Sequence, residues 1–156
     1  YLNLLKRWYR SPIKIVSHIE GTKITPSLVE NRIKELKISS RDKVYTFLMY
    51  DMDVEVVNEK LLKCKAEMLL SNPCFEIWLL LHIKDQKTAI KTDALIKELK
   101  KIAPVWKNYN KSAFTDTQQS FLKDNTDVAV IRAKDLREFQ NPSTGIYKLI
   151  EMLKKR

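Results

Sequence analysis

Residues Val44–Val54 read VYTFLMYDMDV, and the folding of this stretch decides how the rest of the chain is arranged. From Val44 to Tyr50 no side chain is charged, and most are β-branched, aromatic or long and apolar. Such a run predicts a strand covered on both faces, as strands of a parallel sheet are. The run breaks at Asp51, and Asp53 follows two residues later. Side chains at i and i+2 of a strand point the same way, so the two carboxylates share one face at its carboxyl end. That is where α/β proteins bind ligands, and paired carboxylates there can hold a divalent cation. The plainer alternative is an acidic turn that merely ends the strand.

Working outward toward the amino end, Ile13–Ile19 (IKIVSHI) is rich in β-branched residues and predicts a short strand, followed at once by Glu20 and Gly21. Between the two strands, Pro26–Leu36 places Leu28, Val29, Ile33 and Leu36 at helical spacing, with Thr25 before Pro26 to start the helix. Strand, acidic loop, helix, strand, acidic loop is βαβ order. Ahead of it, residues 1–12 read as a short amphipathic helix or a basic arm, with Lys6, Arg7 and Arg10 among apolar and aromatic residues.

Toward the carboxyl end, Glu55–Lys65 predicts a helix with Val56, Leu61 and Leu62 as its core contacts, and Ala66–Leu70 a short buried strand. The segment Cys74–Ile83, CFEIWLLLHI, is apolar nearly all round, which suits a central helix. Thr92–Ile102 is amphipathic through Leu95, Ile96, Leu99 and Ile102, and Pro104 stops it. Asp127–Arg137 predicts another helix, facing inward through Val128, Ile131 and Leu136. Asn141–Thr144 is a turn and cap for a terminal helix that uses Ile146, Leu149, Ile150 and Leu153, so residues 141–156 form a capping element. In Val105–Phe114, aromatic residues alternate with Lys107 and Lys111. These residues either stack on nucleotides and attract phosphates or, more simply, use Trp106 and Tyr109 to close the core.

With 156 residues, one domain spanning 1–156 is expected. The 29 Lys and Arg against 19 Asp and Glu leave a charge of +10, which favours a polyanionic partner; a lysine-rich surface that serves solubility is the plainer alternative. Cys64 and Cys74 have no companion ligands at zinc spacing and are too few for a disulfide framework, so reduced thiols in a cytoplasmic protein are expected. No apolar stretch reaches the roughly 18 to 20 residues of a membrane span, and no signal-peptide pattern opens the sequence. It begins on Tyr1 rather than methionine and has only two glycines, so a fragment, or a chain lacking some loops, is expected.

If the two predicted strands are neighbours, Glu20 meets Asp51 and Asp53, and three oxygen donors converge without cysteine or histidine. Such a donor set suits Mg²⁺ or Mn²⁺ rather than zinc. Lys23 lies close to the acidic loop and is the preferred phosphate contact, with Lys107 and Lys111 as further candidates. Glu76 stands in an apolar segment and needs a partner, either a structural one or a basic group beside the metal site. His82 shares a helix face with Trp78; it either positions a water or phosphate or is a satisfied core histidine.

These motifs resemble a known set. Glu20-Gly21 after a strand, then a helix, then Asp51-Met52-Asp53 after a hydrophobic strand, is similar to the Toprim domain of topoisomerases, bacterial primases and overcoming-lysogenization-defect nucleases. The block Ser71–His82 (SNPCFEIWLLLH), with Asn141-Pro142-Ser143-Thr144 before the last helix, resembles the RloB-like family more specifically. The resemblance implies a Toprim-like α/β domain with a central, mostly parallel sheet flanked by helices. It also implies a metal-dependent nuclease of phage defence, with Glu20, Asp51 and Asp53 as metal-binding and catalytic acids. Nucleic acid, DNA or RNA, is the expected partner, together with a defence protein such as an ATPase. A non-catalytic binding or sensor subunit is the alternative.

Overall fold

A computed structural model describes residues 1–10 and 12–155. The expected arm at 1–12 and capping element at 141–156 therefore include one position each, Ser11 and Arg156, outside the described residues. Among the described residues there are seven α-helices and four two-residue strands, in the order α1 (Leu2–Trp8), α2 (Pro26–Glu35), β1 (Phe47–Leu48), α3 (Glu55–Leu61), β2 (Glu67–Met68), β3 (Ser71–Asn72), α4 (Glu76–Leu81), α5 (Thr92–Ile102), α6 (Asp116–Lys134), β4 (Ser143–Thr144) and α7 (Ile146–Lys154). Two 3-10 turns, Gly21–Lys23 and Pro104–Trp106, complete the set.

The fold is mixed α/β, but helices dominate and the sheets are small. β1 pairs in parallel with β2, Phe47 opposite Glu67 and Leu48 opposite Met68. The same register continues to a parallel bridge between Asp51 and Ser71, closed by the Met52 N–H on the Ser71 carbonyl at 2.8 Å. β3 pairs antiparallel with β4, Ser71 opposite Thr144 and Asn72 opposite Ser143. Residues 67–72 thus serve two partners, one on each edge. At the second edge Gly145 approaches so closely that a Cβ on it would stand 2.7 Å from the Met68 carbonyl oxygen.

The expected large parallel sheet is the first correction. Ile13–Ile19 forms no strand: it runs as irregular chain, with Ile13 and Ile15 half-buried but Val16, His18 and Ile19 turned to solvent. β-branched composition alone does not make a strand, because a ladder needs a partner with its own apolar face to cover. The partner β1 takes is the segment 67–72, whose Leu69 and Leu70 are buried.

Helix phase accounts for two further corrections. α3 buries Val57 and Leu61, leaving the expected contacts Val56 and Leu62 exposed. α6 starts at Asp116, not Asp127, and buries Leu122, Thr126, Ala129 and Val130; Val128 and Ile131 face solvent. Its start is a capping box: Thr115 Oγ1 accepts from the Gln118 N–H while the Gln118 side chain accepts from the Thr115 N–H. The Thr-x-x-Gln spacing announced that start, but the polar residues Asp116–Ser120 masked it.

Of the expected strand Val44–Tyr50 only Phe47–Leu48 is paired, with Val44 and Tyr45 exposed, and the last apolar positions of two helices, Leu36 and Ile102, also face solvent; the rest of the apolar pattern matches the structure more closely. Thr25 Oγ1 accepts the Leu28 N–H to begin α2 with Pro26 in its first turn. α4 is buried along its whole length and packs against α5 and α6. α7 buries Ile146, Leu149, Ile150 and Leu153. A larger core gathers α1, α4, α5, α6 and α7 around Trp78 and Trp106, and a smaller one joins α2 and α3 to Leu48 and Leu70 of the sheet. Trp106 and Tyr109 are buried in the larger core, the simpler of the two roles open to that loop.

Candidate functional site

Asp51 sits where the parallel pairing ends, at the carboxyl end of the β1 segment, as its place after an apolar run predicts. There it meets the start of α4: its Oδ1 accepts the Phe75 backbone N–H at 2.7 Å. Burial pushes the Asp51 carboxyl above the ordinary aspartate range, reinforced by neighbouring Glu76 and opposed by the Phe75 N–H and Lys111. Asp51 also lines a cleft of about 320 Å³ with Met49, Tyr50, Ser71 and Phe75. Asp53 is exposed beyond the bend.

Glu76, the first residue of α4, is 1% exposed. Its Oε1 accepts from the Tyr109 hydroxyl at 3.1 Å and from the Lys111 ammonium at 3.1 Å, while its Oε2 is buried without a hydrogen-bond partner. Burial pushes the Glu76 carboxyl upward, but the neighbouring Cys74 thiol and Lys111 ammonium outweigh it and hold the group below the ordinary glutamate range. Burial together with the Glu76 charge pushes the Cys74 thiol up to about 12, so it stays protonated at neutral pH. The same two causes raise the Tyr109 phenol. Lys111 keeps its charge because Glu76 outweighs the cost of its partial burial. The basic partner that Glu76 needs is therefore Lys111, 35 residues along the chain.

Glu20 lies elsewhere. Its Oε1 accepts from Arg32 Nε on α2 at 2.8 Å, and it lines a second, largely apolar cleft of about 390 Å³ with Ile24, Val29, Leu48 and Tyr50. Met49 and Tyr50 line both clefts, so Glu20 and Asp51 flank the same piece of chain. Among the described residues no three His, Cys, Asp or Glu side chains are grouped to hold a metal ion. The structure brings Asp51 and Glu76 together with Lys111 and Tyr109; it does not bring Glu20 to them.

The remaining candidates divide clearly. Lys23, in the 3-10 turn after Glu20, and Lys107 are exposed. His82 is a core residue: it is 2% exposed, its Nδ1 donates to the Trp78 carbonyl at 2.8 Å, and its ring stands edge-on to Trp78. Burial lowers its pKa to about 4, so it is neutral at pH 7. Two residues missed by sequence reasoning shape the site: Tyr109, which binds Glu76, and Arg32, which occupies Glu20. Arg32 is one of two basic residues on α2, with Lys34, and nothing local marked it as the partner of Glu20; Tyr109 carried no signal either.

The chain belongs to the RloB-like family: a family model described as RloB-like protein matches residues 1–153. The Ser71–His82 block and the Asn141–Thr144 turn that suggest this membership in the sequence are joined in the structure by the β3–β4 pairing and by the Ser71 and Thr144 hydroxyls at 2.9 Å. No curated protein and no solved structure matches significantly. Among the described residues no helix is long and apolar enough to cross a membrane.

Proposed function

We propose that this RloB-like protein is a metal-dependent nuclease that hydrolyses nucleic-acid phosphodiester bonds in defence against phage, with Glu20, Asp51 and Asp53 holding Mg²⁺ or Mn²⁺. The observation that carries the proposal is the position of Asp51 at the end of a parallel strand, half-buried, in a cleft and beside a second buried carboxylate. The donors are hard carboxylate oxygens, which suit Mg²⁺ or Mn²⁺. When bound, such an ion neutralises charge on the phosphate and lowers the pKa of an attacking water. Asp51 is oriented for this by the Phe75 N–H, which fixes one oxygen and leaves the other available. Glu20 reaches the ion only by exchanging Arg32 for it. Exposed Lys23 and Lys107 hold the polyanion by charge, an attraction common to DNA and RNA, and the excess of 29 basic over 19 acidic residues supports it.

One observation favours a second reading, a non-catalytic nucleic-acid-binding or sensor subunit of a defence complex working with a partner such as an ATPase: the ion pair that occupies Glu20. Labelled DNA and RNA incubated with Mg²⁺, Mn²⁺ or EDTA, with the wild type and Asp51→Asn, separate the two. The nuclease reading expects cleavage that EDTA abolishes and that D51N lowers by at least a hundredfold. Tight binding with no cleavage in either metal supports the subunit instead.

A further inference from the structure

The geometry points to a divalent-cation subsite formed by Asp51 and Glu76, in which Lys111 is the internal counter-ion that an arriving Mg²⁺ or Mn²⁺ displaces. The inference rests on the metal-dependent reading above and adds Glu76 to its ligands.

Three features of Glu76 argue for it. Oε2 is a buried carboxylate oxygen with no donor, and a buried charged acceptor left unpaired is costly. Its charge is answered by Lys111, whose side chain is 61% exposed while Glu76 is 1% exposed. Only the lysine's tip therefore reaches inward, and a flexible ammonium in that position can swing out to solvent without unfolding anything. The second carboxylate is already adjacent, because Asp51 is bonded to the N–H of Phe75, the residue immediately before Glu76.

Charge decides which occupant wins. Two carboxylates and one ammonium leave the pocket one negative charge in excess; a dication in place of the ammonium balances both carboxylates. The open oxygen of Glu76 supplies a ligand that the ammonium leaves unused. Tyr109 keeps its bond to Oε1 and holds the carboxylate in place during the exchange. Lys111, once released, is an exposed cation beside the ion, placed to meet a phosphate.

Mn²⁺ titration followed by electron paramagnetic resonance, which counts free Mn²⁺ and needs no turnover, tests this on the wild type, Glu76→Gln, Lys111→Met and Asp51→Asn, with folding checked by circular dichroism. The subsite expects E76Q to weaken Mn²⁺ binding at least tenfold and K111M to tighten it several-fold, with Mn²⁺ raising the melting temperature of K111M more than that of the wild type. If D51N weakens binding while E76Q matches the wild type, Glu76 is no ligand and the inference falls, with the nuclease reading intact. If the wild type binds no Mn²⁺ at millimolar concentration, both fall together. Should E76Q fail to fold, K111M decides alone: affinity equal to or below that of the wild type overturns the inference.

Discussion

Arg32 Nε donates to Glu20 Oε1 at 2.8 Å, so the acid that the sequence assigns to a metal is held by a guanidinium on the helix that follows it. Arg32 reaches Glu35 as well, at 3.0 Å, so its guanidinium is held between the loop before α2 and the last residue of α2. The pair is partly exposed, so removing it changes stability little.

Arg32→Gln is therefore expected to leave the melting temperature nearly unchanged and to tighten Mn²⁺ binding several-fold, because the cation no longer competes with a guanidinium for Glu20. Isothermal titration calorimetry reads the difference. An Mn²⁺ affinity equal to that of the wild type would remove Glu20 from the ligand set.

Gly145 carries a steric prediction. Its N–H donates to the Leu70 carbonyl at 2.8 Å, and a Cβ there would meet the Met68 carbonyl oxygen at 2.7 Å and the Leu69 Cα at 3.1 Å, all backbone that cannot swing aside. Gly145→Ala should cost about 1 to 3 kcal/mol, the usual range for overpacking, by prising α7 from the sheet. Urea unfolding gives the value, and an unaffected midpoint would contradict the close approach.

His82 makes stability depend on pH. Its folded pKa of about 4 lies below the ordinary 6.5, so between those values the unfolded chain binds the proton more readily than the folded one. Stability from this residue is complete above pH 6.5 and is lost as pH falls toward 4. The loss is on the order of 3 kcal/mol at most, since one pKa unit corresponds to about 1.4 kcal/mol. Unfolding at a series of pH values should show this slope in the wild type and a flatter one in His82→Gln.

What the sequence showed of the fold depended on whether local signals and long-range partners agreed. α2, α5 and α7 were legible because apolar spacing and a flanking proline or glycine pointed to the same boundaries, reinforced in α2 by the Thr25 cap. Ile13–Ile19 had strand composition, but composition does not say which segment pairs with β1. The first half of α6 escaped notice because Asp116–Ser120 has no apolar residue to set a period. The candidate site divides in the same way. Asp51 could be placed from its neighbours in sequence, whereas the Lys111 contact with Glu76 depends on how the Trp106–Tyr109 loop packs into the core.

The β3–β4 pairing has a consequence for how the protein is made. Ser71 and Asn72 emerge from the ribosome long before their strand partners Thr144 and Ser143, and α4, buried throughout, follows them directly. During that interval one flank of the Asp51 bridge has no covering strand, and the apolar run Ile77–Leu81 has yet to be covered by α6. The acidic pocket can thus reach its finished shape only near the end of translation of this region. Until then Ile77–Leu81, fully buried in the finished fold, is an exposed apolar run.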